Sequence, residues 1–240
     1  MNRKPDYRLA TNAAYQLLIR SESITRRIDL LQIAASIPNI TLINYDCFAR
    51  RFCLSAEELE EVLPSEYGLT IRRGKRAFVL YNHHKDICTI RFTIAHELGH
   101  YILLHDEDTP QTDKEANCFA RNLLCPIPLA KQLHLSTADG YVKVFGVSGP
   151  MAQASLENRA SDEYYVQKEL YIQVDELFHL YLFEQENGQL TDKQPPRKPV
   201  LSKQETRRTR KTDGSRTENT LDEWERAFAK AEQRWLYGGI

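Results

Sequence analysis

Apolar residues recur at helical spacing along most of the chain. Leu9, Ala13, Leu17 and Leu18 are separated by one to four positions and fall on one face, which predicts an amphipathic helix over 6–20. Further helices are predicted over 29–36, 55–62, 88–105, 112–124, 128–134, 148–160 and within 169–186. The chain is therefore predicted to be mostly helical.

Three short segments interrupt this helical pattern with residues typical of strands. The segment ITLINY (40–45) is rich in β-branched and aromatic residues, and so are LTIRR (69–73) and AFVLYN (77–82). Gly74 lies between the last two, where a tight hairpin turn needs a positive φ. The fold class predicted from these elements is α+β, mostly helical with a small twisted sheet.

The composition changes after Gly188. Residues 189–219 are polar, contain three prolines and carry a run of Lys and Arg, which predicts a disordered linker. Residues 220–240 regain helical spacing through Trp224, Phe228 and Trp235, which predicts a C-terminal helix. The first 188 residues are predicted to form one domain.

Composition and charge restrict the possible functions of the chain. A net charge of −1 over 240 residues gives no general attraction for polyanions, so direct binding of nucleic acid is not expected. No apolar run approaches the length of a membrane span or a secretion signal, so no membrane association is expected. The five cysteines form no C-x-x-C pair, which favours a reducing, cytoplasmic setting.

The segment His-Glu-Leu-Gly-His (96–100) carries the strongest chemical signal. His96 and His100 lie one turn apart on the same helix face, so both imidazoles can bind one metal ion, for which zinc is the first choice. Glu97 can reach a water molecule beside that ion and act as the general base of a hydrolase. Gly99 in an apolar helix indicates close approach of another element.

Two histidines leave a zinc ion without a third protein ligand. Glu115 is predicted to fill this place because it lies on the next helix, one turn before Phe119 at the edge of the apolar face. His105 lies about 140° round the helix from His100 and is predicted to face away, and Asp113 is predicted to face solvent. The competing ligands, including these two, are His105, Asp106, Glu107, Asp108 and Asp113.

The segments RFTIAHELGHYILLH (91–105) and KEANCFARNLLCP (114–126) resemble the ImmA/IrrE family of metallopeptidases. The resemblance extends more weakly over about 6–160. It implies one zinc ion bound by His96, His100 and Glu115, with Glu97 as the base.

The resemblance also implies a gluzincin-like fold and a protein substrate. Members of this family typically cut a transcriptional repressor, so the expected partner is a DNA-binding repressor of a phage or mobile element. Cys125 stands where the family often has Met, and the basic linker with its terminal helix has no match in the family pattern.

Several alternatives stay open at the level of the sequence. The chain could be a regulatory DNA-binding or scaffold protein with a structural zinc ion, although such a site does not need Glu97. Manganese or iron could replace zinc, since histidine and carboxylate ligands suit several metals. The segment FGVSGPMAQASLENR (145–159) could be a recognition helix, but packing within the domain is favoured. His83, His84 and Tyr81 could face the substrate.

Overall fold

A computed structural model describes residues 3–52, 63, 65–73 and 76–187. The chain divides into two units, Met1–Gln189 and Leu190–Ile240, and the described residues all belong to the first. Four predictions lie outside the described residues: the helix over 55–62, the turn at Gly74, the linker over 189–219 and the helix over 220–240.

A three-stranded sheet is formed by β1 (Ile40–Asn44), β2 (Gly68–Arg73) and β3 (Arg76–Tyr81) in the order β1-β3-β2. The predicted β2–β3 hairpin is confirmed, since the two strands pair in antiparallel register. Strand β1 pairs with β3 in parallel, so the segments that follow Asn44 and Tyr81 leave the sheet side by side.

The remaining described structure is mostly helical, as predicted. The helices are α1 (Tyr7–Ser21), α2 (Leu30–Ser36), α3 (Tyr45–Phe52), α4 (Ile87–Ile102), α5 (Pro110–Leu124), α6 (Ile127–Gln132), α7 (Ala138–Phe145), α8 (Gly149–Tyr165) and α9 (Lys168–Glu186). Helices α3 and α7 were not predicted, because each has only eight residues, which is too short for a helical repeat to stand out in the sequence.

Helix α4 ends earlier than the predicted residue 105, and α5 begins earlier than the predicted residue 112. At the end of α4, Leu104 has a φ of 57° and the His105 backbone N–H donates to the His100 carbonyl at 3.0 Å, which closes the helix. At the start of α5, Thr109 and Thr112 form a reciprocal cap around Pro110.

The core lies where α1, α4 and α5 pack together. Tyr15, Leu18, Leu98 and Phe119 are fully buried there. Burying a side chain of this size contributes roughly 1.5–3 kcal/mol, so these contacts fix the two helices that carry the candidate site. Helix α8 buries one side in the same core, which supports the packing interpretation of 145–159.

Two further observations bear on the predicted class of protein. The fold is α+β in the described residues, and the gluzincin-like detail stays a prediction. No helix in the described part of the chain combines the length and apolar character that crossing a bilayer requires.

Candidate metal centre

His96 and His100 lie together on one face of α4, as the motif predicts. Their Nε2 atoms are 3.0 Å apart, and their ring centroids are 4.6 Å apart. A tetrahedral ion with nitrogen ligands at 2.0–2.1 Å would hold them about 3.3 Å apart. The side chains are therefore arranged at nearly the separation that a shared ion requires.

The orientation of the His96 ring is set by α5. His96 Nδ1 lies 2.9 Å from Asn117 Oδ1, and an amide oxygen can only accept a hydrogen bond. His96 Nδ1 must therefore carry the proton. The Nε2 lone pair is left free on the side that faces His100.

A chain of three side chains orients His100 in the same way. The Glu115 carboxylate accepts from His105 Nε2 at 2.8 Å, so in the neutral His105 ring Nδ1 is an acceptor. His105 Nδ1 lies 3.2 Å from His100 Nδ1, which donates to it. The Nε2 lone pair of His100 is then also free, and it points at Nε2 of His96.

Burial keeps both imidazoles in the form that binds metal. It lowers the pKa of His96, and it lowers the pKa of His100 to about 3, with the neighbouring histidines adding to the effect. Two neutral rings whose lone pairs face each other at 3.0 Å repel unless a cation lies between them. The donor set therefore fits a metal ion such as zinc.

Asp113 is the carboxylate that the structure brings to this pair. Its Oδ1 lies 3.6 Å from His100 Nε2, and ligand atoms of His96, His100 and Asp113 all lie within 4.8 Å of one another. The Asp113 side chain is 52% exposed, as the sequence predicted, yet its carboxylate also approaches the histidine pair. Asp113 lies one turn before Asn117, so both face α4.

Glu115 lies elsewhere, although the sequence made it the third ligand. Its side chain is 3% exposed, and Oε1 accepts from the Asp6 backbone N–H at 2.5 Å. Oε2 accepts a hydrogen bond from His105 Nε2, and Arg3 Nη2 lies 3.7 Å from Oε1. The structure therefore does not bring Glu115 into the group of His96, His100 and Asp113, and its role as a ligand stays a prediction.

The sequence predicted that His105 faces away from His100, and this prediction is wrong. That expectation assumed that α4 continues through residue 105, but the left-handed conformation at Leu104 ends the helix and turns the chain back. His105 is consequently buried against His100. The other predicted competitors stay outside: Asp106, Glu107 and Asp108 are exposed, and Asp108 approaches Nδ1 of His100 rather than Nε2.

Glu97 lies beside the pair and contacts the sheet. Thr70 Oγ1, on β2, donates to Glu97 Oε2 at 2.7 Å. Burial raises the pKa of Glu97 to about 7, against the opposing effect of the Thr70 hydrogen bond. Burial also raises the pKa of Tyr45, with the Glu97 charge adding to it. A carboxylate of this pKa can exchange a proton near neutral pH.

The close approach predicted from Gly99 is confirmed. A Cβ at Gly99 would lie 3.1 Å from Phe119 Cδ1 and 3.2 Å from Ala116 Cα. The backbone of Ala116 cannot move as a flexible side chain can. Glycine at this position therefore lets α4 and α5 come close enough to share one site.

Sequence reasoning missed three residues that support the site. Thr70 and Arg72 lie two residues apart on the same face of β2. Arg72 donates to the His100 and Tyr101 carbonyls at 2.7 and 3.1 Å. Asn117 is the third of the three. The usable signals were the two-residue period of the strand and the one-turn spacing between Asp113 and Asn117.

One of three comparisons with known proteins matched the part of the chain that contains these residues. Residues 59–153 match the family model Peptidase_M78, described as the IrrE N-terminal-like domain. The match includes both histidines, Glu97, Asp113 and Glu115. Searches of curated proteins and of solved structures found no match.

Proposed function

We propose that the chain is a zinc-dependent endopeptidase of the ImmA/IrrE family, a proposal supported by the match of residues 59–153 to the IrrE N-terminal-like family model. In this proposal His96 and His100 bind one zinc ion through Nε2. Glu97 is the general base, and α5 contributes a carboxylate to the ion.

One observation carries the proposal. Both Nδ1 atoms are assigned as donors by the groups behind them, so two Nε2 lone pairs face each other at 3.0 Å. An ordinary hydrogen bond between the rings needs a proton on one of these atoms. A cation shared by both lone pairs satisfies the whole arrangement.

The chemistry follows from the position of Glu97. A bound zinc ion would act as a Lewis acid that lowers the pKa of water and polarises a carbonyl. Glu97 takes the proton of the attacking water at a carboxylate oxygen and delivers it to the leaving amine nitrogen. Thr70 holds Oε2 of Glu97 through this exchange, and its hydroxyl favours the ionised form.

We assign the third ligand position to Asp113. Its carboxylate lies with the histidines, and Asn117 one turn later orients His96 from the same helix face. Glu115, which the resemblance implies, supports His100 through His105. Glu115 as a direct ligand is the competing assignment, and variants at the two carboxylates separate them.

An extended polypeptide fits the surroundings of the base. Strand β2 is at the edge of the described sheet, and Thr70 on it contacts Glu97. A peptide that pairs with this edge would lie about 4.8 Å from β2, one strand spacing away. Such a substrate would pass beside Glu97 in the conformation that a peptidase cleaves.

The proposed substrate is a DNA-binding repressor, and the resemblance to the family supports this choice. The direct test is incubation of the purified chain with the repressor encoded beside it, followed by mass spectrometry of the products. A single cut that needs zinc supports the proposal. An intact repressor with a zinc-loaded enzyme that cuts other proteins contradicts the substrate while leaving the peptidase in place.

The test of the catalytic role is Glu97→Gln, which keeps the shape of the side chain and removes the base. We expect retained zinc and a loss of cleavage of at least about 10²-fold, the lower end for general-base catalysis. Glu107→Gln is the matched control, because Glu107 is an exposed carboxylate outside the site.

Near-normal cleavage by zinc-loaded Glu97→Gln would remove Glu97 from the mechanism. A wild-type protein that binds zinc tightly and cleaves no repressor or unfolded protein would instead favour the structural zinc of a regulatory protein.

A further inference from the structure

A second group of metal-binding side chains lies outside the candidate centre. Asp46, at the start of α3, meets His83 and His84, which follow β3. Ligand atoms of all three lie within 4.8 Å of one another. His83 Nε2 is 3.3 Å from one Asp46 carboxylate oxygen, and His84 Nε2 is 3.3 Å from the other.

The sheet topology brings these residues together. Strands β1 and β3 run parallel, and Asn44 is in register with Tyr81. The chain after each strand therefore emerges at the same edge of the sheet. Asp46 is two residues beyond one strand end, and the two histidines are two and three residues beyond the other.

The loop that carries His83 and His84 is held in place by hydrogen bonds within it and to the segment before β2. The Asn82 backbone N–H donates to the Tyr67 carbonyl at 2.8 Å, and its side-chain amide donates to the Glu66 carbonyl at 3.0 Å. The His84 backbone N–H donates to Asn82 Oδ1 at 3.0 Å. Lys85 pairs with the Glu66 carboxylate at 2.6 Å. The rings are therefore presented by an ordered turn.

The distances fit ligands of one ion as well as long hydrogen bonds. Both histidine contacts to Asp46 are 3.3 Å, and the contact from His84 also meets the geometry of a hydrogen bond. Around a tetrahedral ion with bonds of 2.0–2.2 Å, neighbouring ligand atoms are about 3.3–3.5 Å apart. Both Nε2 atoms face the same carboxylate, and the ring centroids are 4.1 Å apart.

We propose that Asp46, His83 and His84 form a second, weaker binding site for a divalent transition-metal ion. Two imidazole nitrogens and one carboxylate oxygen are ligands that zinc, iron, manganese and cobalt accept. The side chains are partly exposed, so the ion keeps water ligands and exchanges readily.

The test counts zinc ions bound per full-length chain by titration calorimetry against a competing chelator. We expect wild-type protein to bind two ions, one tightly and one weakly, and His83→Ala/His84→Ala to bind only the tight one. Asp46→Asn should weaken the second ion at least about tenfold, because it removes the charged ligand. His179→Ala, an exposed histidine on α9, is the matched control and should bind both.

Cobalt provides a second readout. The second, more weakly bound Co²⁺ ion should add visible absorption in wild type and in His179→Ala but not in His83→Ala/His84→Ala. Thermal denaturation without metal checks that all variants fold.

Two ions bound by His83→Ala/His84→Ala, or one ion bound by every variant, would overturn the proposal. Equal affinity of wild type and Asp46→Asn for the second ion would mean an adventitious ion only. These outcomes do not depend on the peptidase proposal, because His96→Ala/His100→Ala reports the tight ion separately.

Discussion

The two histidine clusters differ in what stands behind each ring. At His96 and His100, Asn117 and the Glu115–His105 pair accept the Nδ1 protons from within the packed helices α4 and α5. At His83 and His84, the rings are presented by a turn and face a partly exposed carboxylate. The first pair is oriented by side chains that accept its Nδ1 protons, whereas the second is oriented by the backbone of its loop.

This difference explains why the two clusters should bind metal with different strength. Side-chain acceptors fix the tautomer and the ring orientation before an ion arrives, so less freedom is lost on binding. Burial also keeps the helix pair neutral. The loop cluster has neither advantage, and its ion should be the weaker of the two.

The largest effect should come from removing the charged ligand of the helix cluster. Asp113→Asn keeps the size of the side chain but replaces a carboxylate with a neutral amide. We expect zinc affinity to fall by about 10²-fold or more, compared with about tenfold for Asp46→Asn at the loop cluster. Competition with a chromogenic chelator measures both values.

The substitution Glu115→Gln tests whether Glu115 binds the zinc ion directly or only orients His100 through His105. If Glu115 acts through His105, its loss should cost about tenfold in zinc affinity, within the range of groups that orient a ligand. If Glu115→Gln lowers zinc affinity more than Asp113→Asn does, Glu115 is the third ligand and Asp113 is not.

The sequence predicts the histidine pair, but it cannot show which carboxylate of α5 approaches that pair. The four-residue spacing of His96 and His100 fixes their common face on any helix. Choosing between Asp113 and Glu115 needs the rotation of α5 about its own axis, which the contact between Gly99 and Ala116 decides. His105 was misplaced because nothing in the sequence marks Leu104 as left-handed, since glycine is the usual residue there.

The loop cluster illustrates the same limit. The sequence predicts the strands at 40–45 and 77–82, and it singles out His83 and His84. It does not predict that β1 pairs in parallel with β3, and only that pairing brings Asp46 to the histidines. Contacts between residues distant in sequence are therefore the part of both sites that the sequence could not supply.

A smaller effect is expected at the hydrogen bond that holds the base. Thr70→Val removes the hydroxyl that lowers the pKa of Glu97, so this pKa should rise above about 7. The base must be ionised to act, and the acid limb of the kcat/KM profile should therefore move to higher pH by up to about one unit. At pH 7 this is a loss of up to about fivefold, with zinc retained. An unchanged profile would show that Thr70 does not position the base.

The smallest effect should be on stability where α4 and α5 meet. Gly99→Ala gains about 1 kcal/mol of helix propensity but forces a Cβ against the Ala116 backbone, which costs roughly 1–3 kcal/mol. We expect a net loss of about 1 kcal/mol in the free energy of unfolding by urea. Gly149→Ala is the control, because no atom lies within 4 Å of its added Cβ. Equal free energies of unfolding for the two variants would mean that α4 and α5 accommodate the added Cβ without loss of stability.

The measurement that tests the central claim most directly is zinc content after dialysis against a weak chelator. We expect wild-type protein and His179→Ala to keep one ion per chain, because the weaker second ion is removed. His96→Ala/His100→Ala should keep less than a tenth of an ion per chain while remaining folded. A folded double variant that keeps a full equivalent of zinc would contradict the assignment of the metal centre to these two histidines.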